Sequence, residues 1–315
     1  MKQQDFWCKL YNKCFGNNYV LRKIRVYSIA RYLVCCCANK LLAYKFANRN
    51  FTLINDNKRS PRIVISLTSF PARINTIWIT ISSLLEQSVR PDKIILWLSK
   101  KQFSSKEELP SELIRLENFG LDIRLVDEDI RSHKKFYYSF AEFRNDLVLL
   151  VDDDIIYPSD TIERLFEKWI SLTGKRVICS YGSVIQYTES GQRIRYDSWP
   201  EITTKETHPN LFFGSGGGTL IRPSDLYEDV LNKELFLKLT PLADDIWLNA
   251  MCRLGGVKVY RERFYNILPV RIKGNVTLSS VNLLECKNDE QLELVDEYYN
   301  HKIGMAPFKR VDSSL

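Results

Sequence analysis

The sequence predicts an α/β fold: a mostly parallel sheet with helices on both faces, preceded by a basic helical arm. Three observations predict it. Short, wholly apolar runs recur through the chain, which is how strands buried on both faces read. Stretches with apolar residues at helical spacing separate them, as in repeated strand-helix-strand units. The charge also divides sharply, because residues 1–62 carry 13 Lys and Arg against only Asp5 and Asp56. That is +11 within a chain of net charge +7, so the remainder is −4. Residues 1–60 are therefore read as an arm and linker, and 61–315 as the domain.

In order, Val26 to Phe46 sets Ile29, Leu33, Leu41 and Leu42 among Arg31, Lys40 and Lys45. No run of 18 uncharged apolar residues is present, so this segment is expected either to lie in the headgroup plane of an anionic membrane or to pack on the domain. Residues 49–62 are polar and turn-rich, a linker. Ile63–Leu67 is the first strand, and Asn75 is expected to cap a helix carrying Ile77, Trp78, Ile81, Leu84 and Leu85. Strands follow at Ile94–Leu98, Ile123–Val126 and Leu147–Val151, with a helical pattern at Ser111–Leu116. After Asp154 come a helix at Thr161–Leu172, a strand at Val177–Tyr181 and an irregular region from Gln186 to Asn210. Helices at 245–254 and 289–300 close the pattern.

Composition bounds the function. With 45% apolar and 26% charged residues the chain is globular, and its slightly acidic body speaks against nucleic acid as the main partner. The eight cysteines, three of them consecutive at Cys35–Cys37, are read as reduced thiols, which with the scattered histidines leaves no zinc spacing.

The strongest chemical signal is Asp152-Asp153-Asp154, three carboxylates directly after the apolar run Leu147–Val151. Adjacent anions repel and call for a cation or donor groups, and the carboxyl ends of strands are where open α/β sheets bind ligands. Oxygen donors of this kind suit Mg²⁺ or Mn²⁺ bridged to phosphates. A second pair, Asp244-Asp245, begins a helical pattern. One of the two can cap the helix, and the other is then available as a general base. The run Gly214-Ser215-Gly216-Gly217-Gly218 reads either as a cradle for a sugar or phosphate or as a tight bend into a strand. Lys134 and Lys135 are placed to contact a diphosphate or to sit at a solvated helix start. Thr68, Ser69, Phe70 and Arg73, just past the first strand, offer hydroxyls, a ring and a cation to a nucleotide.

Taken together and in this order, these motifs resemble the GT-A glycosyltransferases, in particular bacterial family-2-like enzymes of surface-polysaccharide synthesis. The resemblance runs from about Ile63 to Tyr299 and includes a helix ending Ser83-Leu-Leu-Glu-Gln-Ser88. It implies a GT-A fold and an inverting, metal-dependent transfer from a UDP- or GDP-sugar to a glycan or lipid-linked acceptor. It makes Asp152 and Asp154 ligands of Mn²⁺ or Mg²⁺, and it gives Asp152 and Asp153 to the nucleotide sugar with Thr68, Ser69, Phe70, Arg73, Lys134 and Lys135. Asp245, with Asp244, becomes the catalytic base. Gly216, Gly217, Gly218 and Trp247 are given to the sugar and acceptor. Where many relatives carry an Asp-Asp-Gly-Ser-like segment, this chain has Leu96-Trp97-Leu98-Ser99-Lys100, so the base stays open. The expected location is cytoplasmic, peripheral on the inner face of the membrane through residues 1–48. The alternatives are a metal-dependent nucleotidyltransferase or phosphotransferase, against which the lack of a Lys-containing phosphate loop counts, and a non-catalytic carbohydrate- or membrane-binding protein.

Overall fold

The computed structural model describes residues 2–16, 23–54, 59–200, 207–262, 266–271 and 287–310. Two helices, α1 (Gln3–Lys13) and α2 (Val26–Ala47), precede β1 (Ile63–Thr68), α3 (Ile77–Leu85), β2 (Lys93–Ser99), the single turn α4 (Ser111–Ile114) and β3 (Leu121–Val126). Then come α5 (Lys134–Glu142), β4 (Leu147–Val151), β5 (Ile155–Ile156), α6 (Thr161–Ile170), β6 (Arg176–Cys179), β7 (Gly182–Val184), β8 (Leu211–Phe213) and β9 (Gly217–Ile221). The chain continues through α7 (Lys233–Leu239), α8 (Asp244–Leu254), β10 (Lys258–Arg261), β11 (Leu268–Pro269) and α9 (Lys287–Ile303).

Seven strands form the central sheet in the order β10-β6-β9-β4-β1-β2-β3. All neighbours are parallel except β9, which runs antiparallel to both β4 and β6. The expected mostly parallel, helix-covered sheet is present. The apolar runs read as strands because both faces of the sheet are covered. One core layer joins Ile63, Ile65, Leu147 and Leu149 to α3 and α6, and the other joins Val64, Val148 and Leu150 to α5, α7, α8 and α9. The β4–β9 register shifts between Leu150 and Val151, an irregularity that re-aims the chain just before Asp152.

Local departures have local causes. Residue Asn75 does not cap α3, whose N-cap is Thr76 without a side-chain bond. The pattern at Ser111–Leu116 forms only one α-turn, and a 3-10 turn at Arg115–Phe119 follows before Gly120 at φ 102° ends it. Short strands β5, β7, β8, β10 and β11 carried too few residues for a period to show.

Every residue of α3 is buried, an all-round apolar helix that needs a cover on its outer side. The arm supplies it. Ala38, Leu42 and Phe46 of α2 and Cys8 of α1 belong to the same core layer as α3, so the compositional boundary near residue 60 crosses one continuous core. The side-chain amide of Gln4 donates to the carbonyls of Ser83 (3.1 Å) and Tyr157 (2.9 Å), and the Asp5 carboxylate accepts from the Ser159 N–H (2.7 Å) and hydroxyl (2.8 Å). Of the two readings of the arm, packing on the domain is realised by its inner face.

Candidate functional site

The acidic triplet leaves β4 at the carboxyl edge of the sheet, and its three members have different surroundings. Asp153 points inward. Its side chain is 6% exposed, accepts from the Ser69 hydroxyl (2.6 Å) and pairs with Arg73 (2.6 Å). Burial raises its pKa while Arg73 opposes the rise. Asp152 and Asp154 face solvent, at 43% and 28% exposure. The Asp154 carboxyl is pushed up to about 6 by burial and by the Asp152 charge, even though Arg73 lies 3.0 Å away.

Asp152 fits only because residue 216 is glycine. A Cβ there would lie 1.8 Å from the Asp152 carboxylate. The two segments are clamped, since the Asp152 N–H bonds the Gly216 carbonyl (2.9 Å) and the Tyr157 hydroxyl donates to that same carbonyl.

Asp244 and Asp245 begin α8 opposite this turn, but neither is its cap, which is Ala243. Their partners lie in the glycine segment instead. The Ser215 hydroxyl donates to Asp244 (2.7 Å), and the Ser215 N–H donates to Asp245 (2.7 Å). Lys135, on α5, sits between the two acidic groups, 2.9 Å from Asp152 and 3.1 Å from Asp244. Its ammonium is buried, and burial disfavours the charge, but Asp152, Asp244 and Asp245 outweigh that and raise its pKa. The two aspartates separate as a result. Asp244 is held down to about 2, its burial overcome chiefly by Lys135, whereas Asp245 is pushed up to about 7 by burial and then by the Asp244 charge. Beneath them His133 stacks on Phe236 at 4.7 Å, and burial lowers its pKa to about 4, so the imidazole is neutral.

Two cavities meet at this network. The larger, about 340 Å³, is walled by Asp154, Asp244, Asp245, Tyr196 and Ser215, and the smaller, about 270 Å³, by Thr68, Ser69, Phe70, Gln102 and Asp129. Arg73, Ser132, Lys135 and Asp152 border both.

Among the described residues no group of three His, Cys, Asp or Glu side chains is arranged as a metal cage. Such a cage is not required for Mg²⁺ or Mn²⁺, which bind through one or two carboxylates plus water and substrate phosphates. The two more open members of the triplet, Asp152 and Asp154, fit that donor set.

Most sequence-derived candidates converge here, with three corrections. Trp247 is fully buried and donates its indole N–H to the Val230 carbonyl (3.0 Å), so it is a core residue and not a sugar contact. Gly217 and Gly218 are buried within β9, and Gly216 is buried beneath Asp152. None of the three lines either cavity. Lys134 lines the smaller cavity, but its ammonium is held by Asp129, away from the acidic network. Thr68 also lines that cavity and donates its hydroxyl to the Trp97 carbonyl (2.8 Å). Sequence reasoning missed Ser132, Ser215, Tyr196, Gln102 and Asp129. Only Ser215, inside the glycine run, and Ser132, two residues before the lysine pair, had a signal that could have found them. Part of the irregular segment, 201–206, lies outside the described residues.

No family model and no curated protein matches the chain. Among solved structures, a mannosyltransferase from Pyrobaculum calidifontis in complex with GDP-Man and Mn²⁺ superposes with TM-score 0.48 at 13% identity, over 92% of this chain and 79% of that one. A 4-diphosphocytidyl-2C-methyl-D-erythritol synthase from Anaerococcus prevotii gives 0.42 at 13% identity, over 72% of this chain and 99% of that one. These likenesses concern the layout of strands and helices, and the functional reading rests on the site.

Proposed function

We propose that the chain is an inverting glycosyltransferase that moves a sugar from a nucleotide diphosphate donor to a hydroxyl of a glycan or lipid-linked glycan, in surface-polysaccharide synthesis. One observation carries the reading: Lys135 joins the strand-end acids to the helix-start acids across one cavity, which the Asp245 carboxyl lines. A carboxyl with a pKa near 7 matches a base that must take a proton from an alcohol at physiological pH.

The parts then divide the work. The nucleoside lies in the smaller cavity, against Phe70 and the hydroxyls of Thr68 and Ser69. The diphosphate crosses the border between the cavities, where Arg73 and Lys135 supply fixed cations. A divalent ion held by Asp152 and Asp154 would add charge neutralisation for the departing diphosphate. In the larger cavity Asp245 accepts the proton as the acceptor oxygen bonds the anomeric carbon. The carbon–oxygen bond to the diphosphate breaks on the opposite face, and the nucleoside diphosphate leaves with that electron pair. The Ser215 N–H holds Asp245 in place, and the Ser215 hydroxyl holds Asp244 beside it.

Nucleotidyl transfer is the rival. Its acceptor is an already anionic phosphate that needs no base, so the raised Asp245 has no task in it. The experiment is incubation of the full chain with UDP- and GDP-sugars, Mn²⁺ and a saccharide acceptor. Release of nucleoside diphosphate that stops on chelation supports the reading. Pyrophosphate from a nucleoside triphosphate and a sugar phosphate would replace it with the rival.

A further inference from the structure

The arm's inner face is accounted for by the core, but its outer face is not. Along α2 the buried positions are Cys35, Ala38, Asn39, Leu42 and Phe46, one stripe at helical spacing. The opposite stripe, which an ordinary surface helix fills with charge, holds Val26, Ile29, Leu33, Cys37, Leu41 and Tyr44. Tyr44 is 75% exposed, Ile29 56% and Leu33 55%. Among the described residues, ten of the fifteen large apolar side chains that stand most exposed lie between Phe6 and Leu53. An apolar patch of this kind on a soluble surface marks an interaction site.

Charge identifies the partner. No Asp or Glu occurs from Phe6 to Ile54, and Lys13, Lys23, Arg25 and Lys40 are exposed around the apolar stripe. A second copy would meet this surface with the same positive charge, which a two-fold interface would have to bring face to face. An anionic bilayer complements both features, because aliphatic and aromatic side chains enter the acyl boundary while lysine stems carry their ammonium groups back to the headgroups.

Residues Val26–Ala47 are long and apolar enough to cross a membrane by length and composition, but the second half of the helix, from Cys35 to Phe46, is packed on the domain and tied to it. The Asn39 amide donates to the Pro269 carbonyl (2.9 Å), its oxygen accepts from the Arg271 N–H (2.8 Å), and Arg115 donates to the Phe46 carbonyl (2.7 Å). A helix fixed to the domain on one side can offer only its other side. Independently of the reaction proposed above, we propose that the outer face of α1 and α2 docks the folded protein flat on an anionic lipid surface.

This placement reaches the acidic turn by a short route. The Val270 N–H bonds the Asp154 carbonyl (2.7 Å), and the next residue, Arg271, bonds Asn39 and sets its guanidinium over the Tyr32 ring at 4.9 Å. Docking through α2 therefore holds the site at a fixed height above the lipid.

The test is flotation of the full chain with phosphatidylcholine vesicles, with and without phosphatidylglycerol. Binding is expected only to the anionic vesicles and should weaken as salt rises. Replacing Ile29, Leu33 and Tyr44 together by Ser should lower partition at least about tenfold. Lys→Gln at residues 13, 23 and 40 should cost about fivefold each, roughly 100-fold together. All six side chains are outward-facing, so thermal unfolding should match the parent. Equal binding to neutral vesicles, no binding to either kind, or full binding by both variants overturns the proposal. So does retention in the bilayer after alkaline carbonate, which would mean a spanning helix. A lipid-free dimer that the Ser variant dissociates would assign the face to a second copy and overturn it too.

Discussion

The two acidic clusters follow one design. In each, a carboxylate is sunk into the structure and fully engaged, while its neighbour stands at the cavity with a raised pKa. Asp153 is consumed by Ser69 and Arg73, leaving Asp154 near 6, and Asp244 is consumed by Ser215 and Lys135, leaving Asp245 near 7. They differ in access and in what faces them. The strand-end acids open onto solvent and onto the border between two cavities, which suits a cation shared with a ligand. The helix-start acids line one cavity only, which suits proton transfer. Adjacent identical residues thus meet different surroundings according to which way each side chain points, and Lys135 is the group that bridges the two clusters.

Removing that group should have the largest effect. Lys135→Met keeps the volume but leaves Asp244 buried without its cation and Asp152 without its partner. Breaking a buried pair by deleting one member costs about 3–5 kcal/mol, and the exposed Asp152 half contributes the lesser share. Chemical denaturation should show that loss, together with loss of turnover. A Lys135→Met protein as stable as its parent would mean that the clusters are independent.

Next is the contrast within one cluster. Asp245→Asn should lower turnover by about 10² to 10⁴-fold, the ordinary worth of general-base assistance. Its amide oxygen still accepts from the Ser215 N–H, so the fold and donor binding should persist. Asp244→Asn should do the opposite in kind, costing stability because Lys135 loses the buried one of its two partners. If Asp245→Asn turns over normally while Asp244→Asn does not, the roles are reversed.

How far the sequence foretold this follows from the range of each signal. The strands β1, β2 and β4 announced themselves because burial on both faces removes polar residues altogether, and that needs no knowledge of the partner strand. The Asp clusters were legible for a similar reason, since adjacent like charges are costly wherever they lie. What joins them was not. Lys135 is separated from Asp152 by 17 residues and from Asp244 by 109, and nothing local distinguishes it from Lys134, which turns to Asp129 instead. The glycine run showed that something approaches closely, but not that it is the Asp152 carboxylate rather than a sugar. Trp247 was misassigned because helical spacing next to the acids cannot tell the cavity side of α8 from its core side. The arm was half legible: its charge was plain, but its buried stripe appears only once α3 is known to need a cover.

The smallest expected effect, and the finest probe of the comparison, is in pH. If Asp245 is the base, the ionised form is the active one, so kcat/KM should rise with pH through about 7 and level off above it, one proton per molecule. The cause of the raised pKa fixes how a variant should move that limb. Burial contributes first and the Asp244 charge second, with Lys135 pulling the other way. Asp244→Asn removes the repelling anion and frees Lys135 to act on Asp245, so both changes favour ionisation and the limb should shift to lower pH. Stability gives an independent check of sign. A carboxyl whose folded pKa lies above its unfolded value favours the folded state below the unfolded pKa, and that advantage is lost as pH rises through the folded one. The parent should therefore lose stability relative to Asp245→Asn between about pH 4 and pH 7. A rate limb that stays in place in Asp244→Asn, with a stability difference flat across that window, would show that Asp245 does not titrate there and would leave only the strand-end cluster with a chemical role.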